Sequence, residues 1–148
     1  MMNYTSTIIN DKETLEKLRQ FLKVNQLPSP DIRLEGSLYF GYQDKDGKLI
    51  GSGGLELYGD LALLRSIAVD EEFRSQSIGK GIVEEIIDKA MSLKIKDLYL
   101  LTETARTFFL KNGFTDVPRE KTPNVIKLST QFTQVCPASA AVMKLSIG

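Results

Sequence analysis

The segment from Leu61 to Gly81 has the residue types and the order of elements that bind an anion. Its apolar first part, Leu61–Val69, predicts a buried strand, and Ile78–Leu93 has the apolar spacing of an amphipathic helix. At the junction, Gly79 and Gly81 allow backbone N–H groups to approach an anion closely. Because these groups lie at the positive end of a helix dipole, the sequence predicts a phosphate-type site where the helix begins.

The spacing of this loop differs from that of the common nucleotide-binding motifs, GxxxxGK[ST] and GxGxxG. Gln76, Gly79 and Gly81 match the pattern (Gln/Arg)-x-x-Gly-x-(Gly/Ala) instead, and here the chain resembles the GNAT superfamily of acetyl-CoA-dependent N-acetyltransferases. The resemblance covers about residues 36–116. The other matching segments are the strand end Ile67–Asp70, Arg74 in the loop, the apolar run Leu98–Leu101 and the helix Ala105–Phe114.

The resemblance implies how acetyl-CoA is held. Main-chain groups of residues 67–69 would pair with the pantetheine arm like an added strand, and an N–H near Val69 would stabilise the oxyanion of the thioester. N–H groups of the loop would hold the pyrophosphate, Phe109 would pack beside the cofactor and Phe108 in the core. For Lys80, a solvated position is the alternative. The implied cofactor-binding residues are Ile67, Ala68, Val69, Arg74, Ser75, Gln76, Ser77, Ile78, Gly79, Lys80, Gly81 and Phe109.

Two positions depart from the residues that many family members carry. Phe109 replaces a tyrosine that protonates the leaving thiolate, and Thr102 replaces an asparagine. A thiol with a pKa of about 8.5 leaves without an obligatory acid, so Phe109 is compatible with catalysis. The departures also keep a second class open, a CoA-binding module or sensor without turnover. A third class, an ordinary α/β nucleotide-binding protein, is disfavoured by the loop spacing.

Glu56 and Arg65 are candidates for the acceptor site. Gly59 and Asp60 predict a two-residue hairpin turn, and in that register Glu56 and Arg65 lie diagonally on one sheet face, about 7–8 Å apart at the backbone. Two interpretations stay open. The pair is a structural ion pair, or Arg65 binds a substrate anion while Glu56 binds the ammonium group or acts as base.

Thr102 and Glu103 follow the second apolar strand and complete the candidate acceptor residues. Thr102 is a candidate for substrate binding. Glu103 is a rival catalytic base, and a solvated strand end is its alternative interpretation.

A narrower resemblance concerns acetyltransferases encoded beside arsenic-resistance genes. It implies a primary amine of a small molecule as acceptor, such as an amino acid or its phosphinothricin-like or arsenical analogue. The similar segments are Gly54–Glu56, Tyr58–Asp60, Leu63–Ser66, Leu100–Thr102 and Cys136–Ala140 with Met143.

Composition excludes several classes of chemistry. The 148 residues contain no histidine and one cysteine, Cys136, so a Ser-His-Asp triad, an HExxH zinc site and a multi-thiolate metal site are impossible. Lysine plus arginine equals aspartate plus glutamate at 19 each, which argues against nucleic acid as a partner. No secretory signal and no apolar run of about 20 residues is present, so a soluble, cytoplasmic protein without a metal or membrane contact is expected. A homodimer through the last helix and strand is a further expectation.

The order of elements predicts a single α/β domain over residues 1–148, with a mixed, twisted sheet and helices on both faces. The predicted strands are 37–43, 49–58 with a glycine bulge, 61–69, 98–101 and 138–147. The predicted helices are 11–23 capped by Asn10, 78–93, 104–112, and one from Pro123, with Thr122 as its N-cap, to about Gln134.

Overall fold

The computed structural model describes residues 4–27, 29–130, 132–133 and 139–148, without the side chains of Ser75 and Gln76. Within these residues the chain forms one mixed sheet with the strand order β1-β2-β3-β4-β5-β7-β6. The strands are β1 Thr5–Ile9, β2 Ser37–Gln43, β3 Leu49–Tyr58, β4 Leu61–Val69, β5 Asp97–Thr102, β6 Thr115–Asp116 and β7 Ala141–Ser146. The α-helices are α1 Lys12–Val24, α2 Ile78–Ser92, α3 Arg106–Lys111 and α4 Asn124–Lys127.

Strands β4 and β5 separate part-way along the sheet, and this separation positions the site. They pair in parallel from Leu61 opposite Asp97 to Leu63 opposite Tyr99. The pairing is not continued over the rest of the described β4, whereas β4 stays antiparallel to β3 on its other side as far as Val69. A wedge-shaped opening therefore forms in the middle of the sheet.

The register of the β3–β4 hairpin confirms the prediction from the turn. Tyr58 pairs with Leu61, Glu56 with Leu63 and Gly54 with Arg65, and Gly59 has the positive φ of 70° that the turn needs. The predicted glycine bulge is also confirmed, since the register shifts between Ser52 and Gly54.

Helices cover both faces of the sheet, as predicted. Phe40 packs in the cluster that contains Ile82 and Ile86 of α2. Its neighbour Tyr39 packs with Leu18 and Leu22 of α1. Because successive strand residues point to opposite faces, α1 and α2 lie on opposite sides.

Close packing of α2 on β3 explains the glycines of that strand. A Cβ at Gly53 would lie 2.2 Å from the Ile86 side chain, and one at Gly54 would lie 2.6 Å from the Tyr39 ring. These glycines therefore allow close approach of α2 on one face and of an aromatic ring on the other.

The first helix is capped differently from the prediction. Its N-cap is Asp11 rather than Asn10, because the Asp11 carboxylate accepts a hydrogen bond of 2.7 Å from the Thr14 N–H. This hydrogen bond lowers the pKa of Asp11 below its usual value. Strand β1, which precedes the helix, has only Ile9 buried and carries little sequence signal, and it was not predicted.

The last helix is shorter than predicted. Pro123 is the N-cap of α4 rather than its first residue, and α4 ends at Lys127. Leu128, just beyond, is 78% exposed, and the helix is interrupted there. Helical conformation resumes at Thr130 and at residues 132–133, where the Thr133 N–H donates to the Ser129 carbonyl at 3.0 Å, and the predicted end at about Gln134 lies outside the described residues. Strand β7 starts at Ala141 rather than at residue 138. Residues 134–138, including Cys136, lie outside the described part of the chain.

Candidate active site

The opening between β4 and β5 is a cavity of about 910 Å³. Residues 64–69 of β4 form one wall, and residues 100–102 of β5 form another. The start of α2 and the helix α3 contribute further lining residues, among them Gly79 and Phe108. Since clefts of this size hold large cofactors, we call this cavity the cleft and describe its two ends separately.

The donor end of the cleft is the start of α2. Ser77 precedes the helix in the left-handed conformation, and the Gly81 N–H donates to the Ser77 carbonyl at 3.2 Å. The N–H groups of residues 78–80 therefore precede the first hydrogen bond of the helix and can donate to a ligand. The first turn of α2 contains no acidic residue, so this end fits a phosphate group.

Most of the predicted cofactor-binding residues meet at this cleft. Its lining includes Ile67, Ala68, Val69, Arg74, Ser77, Gly79, Lys80 and Phe109. Ile78 has its side chain in the core, so it would contribute through its backbone N–H. The Gly81 N–H is bonded to the Ser77 carbonyl, so Gly81 would contribute space rather than a hydrogen bond. Ser75 and Gln76 belong to the 3-10 turn Glu71–Gln76, and their side chains are outside the description.

Arg74 connects the end of β4 to the segment after α1. Its Nε donates to the Val69 carbonyl at 3.0 Å, and its Nη2 donates to Asn25 Oδ1 at 2.8 Å. Residues 24–27 thereby become a wall of the cleft, which the sequence reasoning missed. Lys80 has a side chain that is 67% exposed and lies 4.0 Å from Glu84, as expected of a solvated helix position.

Arg65 lines the acceptor end of the cleft and is the centre of a buried ion cluster, the Arg65 cluster, whose other members, Asp31, Glu56 and Tyr58, lie behind it and are not among the lining residues. The guanidinium binds Asp31 through both Nη atoms, with Nη2 at 2.8 Å from Oδ1, and Nη1 also donates to Glu56 Oε2 at 2.6 Å. The Tyr58 hydroxyl donates to the second Glu56 oxygen at 2.6 Å. All four carboxylate oxygens therefore accept a hydrogen bond within the cluster.

Burial decides the electrostatics of this cluster. The Arg65 side chain is 1% exposed and that of Asp31 is 6% exposed. Burial by itself lowers the pKa of Arg65, but the hydrogen bonds to Asp31 and Glu56 and the negative charge of Asp31 outweigh burial, so the net pKa lies above its usual value. Burial, together with the hydrogen bond to Glu56, raises the pKa of Tyr58. Arg65 consequently keeps its positive charge, and Tyr58 its proton, near neutral pH.

The contacts show that Glu56 and Arg65 form an ion pair, one of the two interpretations of the sequence. Asp31, the third charged member, was missed because it lies 34 residues before Arg65 and nothing near it in sequence points to a partner. The predicted contact of Arg65 with a substrate acid stays a prediction. Arg65 lines the cleft, but the carboxylates already occupy both Nη atoms.

Ser66 follows Arg65 where β4 leaves β5. Its φ of 60° lies in the left-handed region, which is unfavourable for a residue other than glycine. Its carbonyl accepts from Ser52 Oγ at 2.7 Å, and its own Oγ accepts from Arg65 Nε at 3.2 Å. Ser66 is 8% exposed and lines the cleft. Sequence reasoning missed it, because a left-handed residue inside a strand has no sequence signal here.

Thr102 and Glu103 lie at the end of β5 and line the cleft, as does Phe109 of α3. The Thr102 hydroxyl accepts from the Ala105 N–H at 3.0 Å and so fixes the turn into α3. Glu103 is exposed to the cleft.

The two phenylalanines of α3 differ from the expectation. Phe109 is 6% exposed and packs edge to face on Phe108 and Phe114, so it belongs to the core as well as to the cleft wall. Phe108 is the less buried of the pair, and its ring lies 3.4 Å from a Cβ placed at Gly79. Both rings therefore line the cleft, rather than Phe109 alone.

Comparison with known families identifies the fold. A model of the GNAT acetyltransferase domain matches residues 35–116, which is more than half of the chain. The chain belongs to the GNAT acetyltransferase family. The matched segment runs from just before β2 to β6, and so includes the β4–β5 opening and the start of α2.

Similar proteins include two enzymes named amino-acid acetyltransferase. The one from Mycobacterium tuberculosis is 32% identical over 96 residues, which cover 64% of this chain and 52% of the relative. The one from Mannheimia succiniciproducens is 33% identical over 85 residues, which cover 53% of this chain and 19% of the relative. The chain thus spans about half, or less, of the length of these curated relatives.

Solved structures share the whole fold at low identity. A GNAT acetyltransferase from Staphylococcus aureus superposes with a TM-score of 0.75 at 18% identity, over 97% of this chain and 100% of that one. N-acetylglutamate synthase from Neisseria gonorrhoeae, complexed with coenzyme A and N-acetyl-glutamate, gives 0.74 at 16% identity, over 97% of this chain and 35% of that one. These likenesses show the fold.

The described residues contain neither a membrane-spanning helix nor a metal-binding group. None of their helices is long and apolar enough to cross a membrane. No group of three or more of their carboxylate, thiol or imidazole side chains is arranged to hold a metal ion.

Proposed function

We propose that this protein transfers the acetyl group of acetyl-CoA to the primary amine of a small molecule, by direct attack in a ternary complex. One observation carries the proposal: in a chain of the GNAT family, the cleft between β4 and β5 has a helix start free of acidic residues at one end, and Arg65 and the carboxylate of Glu103 among the lining residues at the other. Such a cleft brings a phosphorylated donor and a cationic acceptor to the same strands.

The donor assignment uses backbone groups. The edge of β4 over residues 67–69 faces the opening, so it can pair with the pantetheine arm as an extra strand would. The start of α2 would hold the pyrophosphate through the N–H groups of residues 78–80, and Gly81 would leave room for it. A solved relative is complexed with coenzyme A, which supports this assignment.

The acceptor assignment uses side chains. Two relatives are named amino-acid acetyltransferases, and this supports an acceptor that combines an amino group with an acid, including phosphinic or arsenical analogues of amino acids. Glu103 is the better candidate for the base, because it is exposed in the cleft, whereas both Glu56 oxygens already accept hydrogen bonds. Thr102 lies beside Glu103 and would contact the acceptor.

The experiment is a thiol-release assay across a panel of primary amines that includes amino acids and their phosphinic and arsenical analogues. Calorimetry with CoA accompanies it. Binding of CoA together with transfer to at least one amine supports the proposal, and absence of CoA binding rejects it. Arg65→Ala tests the acid contact: an acceptor KM raised about tenfold with unchanged CoA affinity supports it.

A second candidate, a CoA-binding module without turnover, is favoured by Phe109, which offers no hydroxyl to the leaving thiolate. Binding of CoA without transfer to any amine of the panel would support this candidate. The variant Phe109→Tyr distinguishes the two candidate functions. A gain of about tenfold or more in turnover would show that protonation of the leaving thiolate limits turnover in the wild type.

Two further expectations belong to the proposal. A cytoplasmic location remains a prediction, which fractionation of cells tests. A homodimer is supported by the exposed apolar side chains Val125 and Leu128, at 44% and 78%. Sedimentation analysis tests it.

A further inference from the structure

We propose that Ser66 is a catalytic hydrogen-bond donor, its hydroxyl polarised by Arg65, for the oxygen that becomes negative during acetyl transfer. The inference rests on the proposed function and assigns a side chain to a step for which the family resemblance supplied only a main-chain N–H. It also gives the Arg65 cluster a role in the reaction. The role is that of a positioning group, since Arg65 acts through Ser66.

The hydrogen bonds of Ser66 leave its proton available. Arg65 Nε donates to Ser66 Oγ at 3.2 Å, so the hydroxyl oxygen acts as an acceptor of a charged donor. A hydroxyl group carries one proton of its own, and no hydrogen bond donated by Ser66 Oγ occurs among the described residues. A hydroxyl that accepts from a cation is also a stronger donor than a free one, because the chain of hydrogen bonds polarises it.

The location of Ser66 agrees with this role. It lines the cleft three residues beyond Leu63, the last residue of β4 that pairs with β5. It precedes residues 67–69, the proposed edge for the pantetheine arm. The hydroxyl of Thr102, which also lines the cleft, accepts from a neutral amide instead of a guanidinium and fixes the turn into α3.

The Arg65 cluster fixes the direction of the donor. Asp31 binds both Nη atoms and Glu56 binds one, which holds the guanidinium plane and aims Nε at Ser66. The backbone is fixed independently, since Ser52 Oγ donates to the Ser66 carbonyl at 2.7 Å. The left-handed φ of Ser66 is an unfavourable conformation held by its surroundings, and such conformations cluster at functional sites.

The chemical step balances without an added reagent. The amine nitrogen forms a bond to the thioester carbon, and the carbonyl oxygen gains the negative charge that Ser66 stabilises by hydrogen bonding. The C–S bond then breaks, and its electron pair leaves with sulfur as the CoA thiolate. The proton of the attacking amine goes to Glu103 or to water, so Ser66 keeps its own proton throughout.

Two substitutions of Ser66 separate the hydroxyl from the backbone. Ser66→Ala removes the hydroxyl and keeps the unfavourable φ, whereas Ser66→Gly removes the hydroxyl and relieves it. Both should lower kcat by a factor on the order of 10² with CoA affinity unchanged. Ser66→Gly should also raise the melting temperature. Lys94→Gly is the matched control: it relieves a similar φ of 66° at an exposed position away from the cleft, and should raise the melting temperature without changing kcat.

A double-mutant cycle tests the part played by Arg65. Arg65→Lys keeps a positive charge between the carboxylates but has no Nε–H to donate to Ser66. It should lower kcat by about tenfold in the wild-type background and have little further effect in Ser66→Ala, because the two groups act as one unit.

The outcomes are distinct. If the wild type binds CoA and transfers acetyl but Ser66→Ala keeps its kcat within about twofold, this inference is wrong and the proposed function stands. If Ser66→Gly stays active while Ser66→Ala does not, the backbone conformation matters rather than the hydroxyl, and the inference is again wrong. If the wild type transfers acetyl to no amine, the proposed function fails and the inference fails with it.

Discussion

The two ends of the cleft are built from different parts of the chain. The donor end consists of backbone groups from one continuous segment, β4 through the first turn of α2. The acceptor end depends on side chains that come from the loop before β2, from β3, from β4 and from the end of β5. A site built from backbone groups tolerates many side-chain types, provided that they leave space for the ligand. A site built from side chains requires particular residues at several positions of the chain.

The largest expected effect is a loss of stability when a member of the Arg65 cluster at the acceptor end is removed. Asp31→Ala leaves the buried Arg65 guanidinium with one carboxylate fewer, and removing one partner of a buried ion pair should lower the free energy of unfolding by about 3–5 kcal/mol. Chemical denaturation measures this. The variant Asp31→Asn retains a hydrogen-bond acceptor, so its free energy of unfolding should fall by less. A loss below about 1 kcal/mol for Asp31→Ala would mean that the cluster behaves like a surface pair.

The second effect concerns the donor end and should not change the stability of the fold. Gly79→Glu and Gly81→Asp each add a side chain and a negative charge at the start of α2, so affinity for CoA should fall by about 100-fold or more. Gly79→Ala is the control, because its Cβ would lie at an ordinary 3.4 Å from Phe108 and leaves the charge unchanged. Calorimetry with CoA that shows equal affinity in Gly79→Glu and the wild type would place the pyrophosphate elsewhere.

The third effect distinguishes Glu103 from Glu56, the two candidates for the catalytic base. Glu103→Gln should lower kcat by about tenfold at neutral pH, and raising the pH should partly restore it by supplying neutral amine. Glu56→Gln should instead lower the melting temperature, since it removes a charge that Arg65 Nη1 binds. Rates measured against pH for both variants check this, and the reverse pattern would make Glu56 the base.

The smallest effect uses a second Arg–Asp pair as a comparison. Arg106 and Asp116 also bind through two nitrogens and two oxygens, but their side chains are 54% and 46% exposed. Solvent screens this pair, so Asp116→Ala should leave the melting temperature within about 1 °C of that of the wild type near neutral pH. A large fall in the melting temperature would show that the hydrogen-bond geometry of an ion pair contributes more to stability than its burial.

Acid is the condition under which the contribution of this surface pair to stability is lost. The hydrogen bonds from Arg106 lower the pKa of Asp116 in the folded protein. The contribution is therefore present above the unfolded pKa of about 3.9 and is lost as the pH falls through the lower folded value. Melting curves of the wild type and Asp116→Asn, recorded from pH 5 downward, should converge as the pH falls.

Sequence reasoning predicted the donor end well because its information is local. The apolar run of β4, the small residues at the start of α2 and the Gly59–Asp60 turn each depend on neighbours a few residues away. The register of the β3–β4 hairpin follows from the turn, so the Glu56–Arg65 diagonal was also predictable.

Long-range pairing limited the rest of the prediction. The last helix was predicted as one continuous element because the Thr122–Pro123 start signal is local, whereas the interruption after Lys127 depends on what packs against residues 125–128. Strand β1 was missed because most of its residues are exposed and only its pairing with β2 orders it.

The sequence by itself determined the family resemblance, the loop where an anion site is predicted, and the exclusion of histidine-dependent and multi-thiolate chemistry. Each of these follows from which residues are present and how closely they are spaced. Only the tertiary structure decided which groups meet at the acceptor end. Asp31 binds Arg65 although the two lie 34 residues apart. Ser66 Oγ accepts a hydrogen bond from Arg65 Nε at the point where β4 leaves β5 and Ser66 adopts a left-handed backbone conformation. The reason is physical: a buried charge is stabilised by whichever partners the fold brings within hydrogen-bond distance, and that distance is not encoded by separation along the chain.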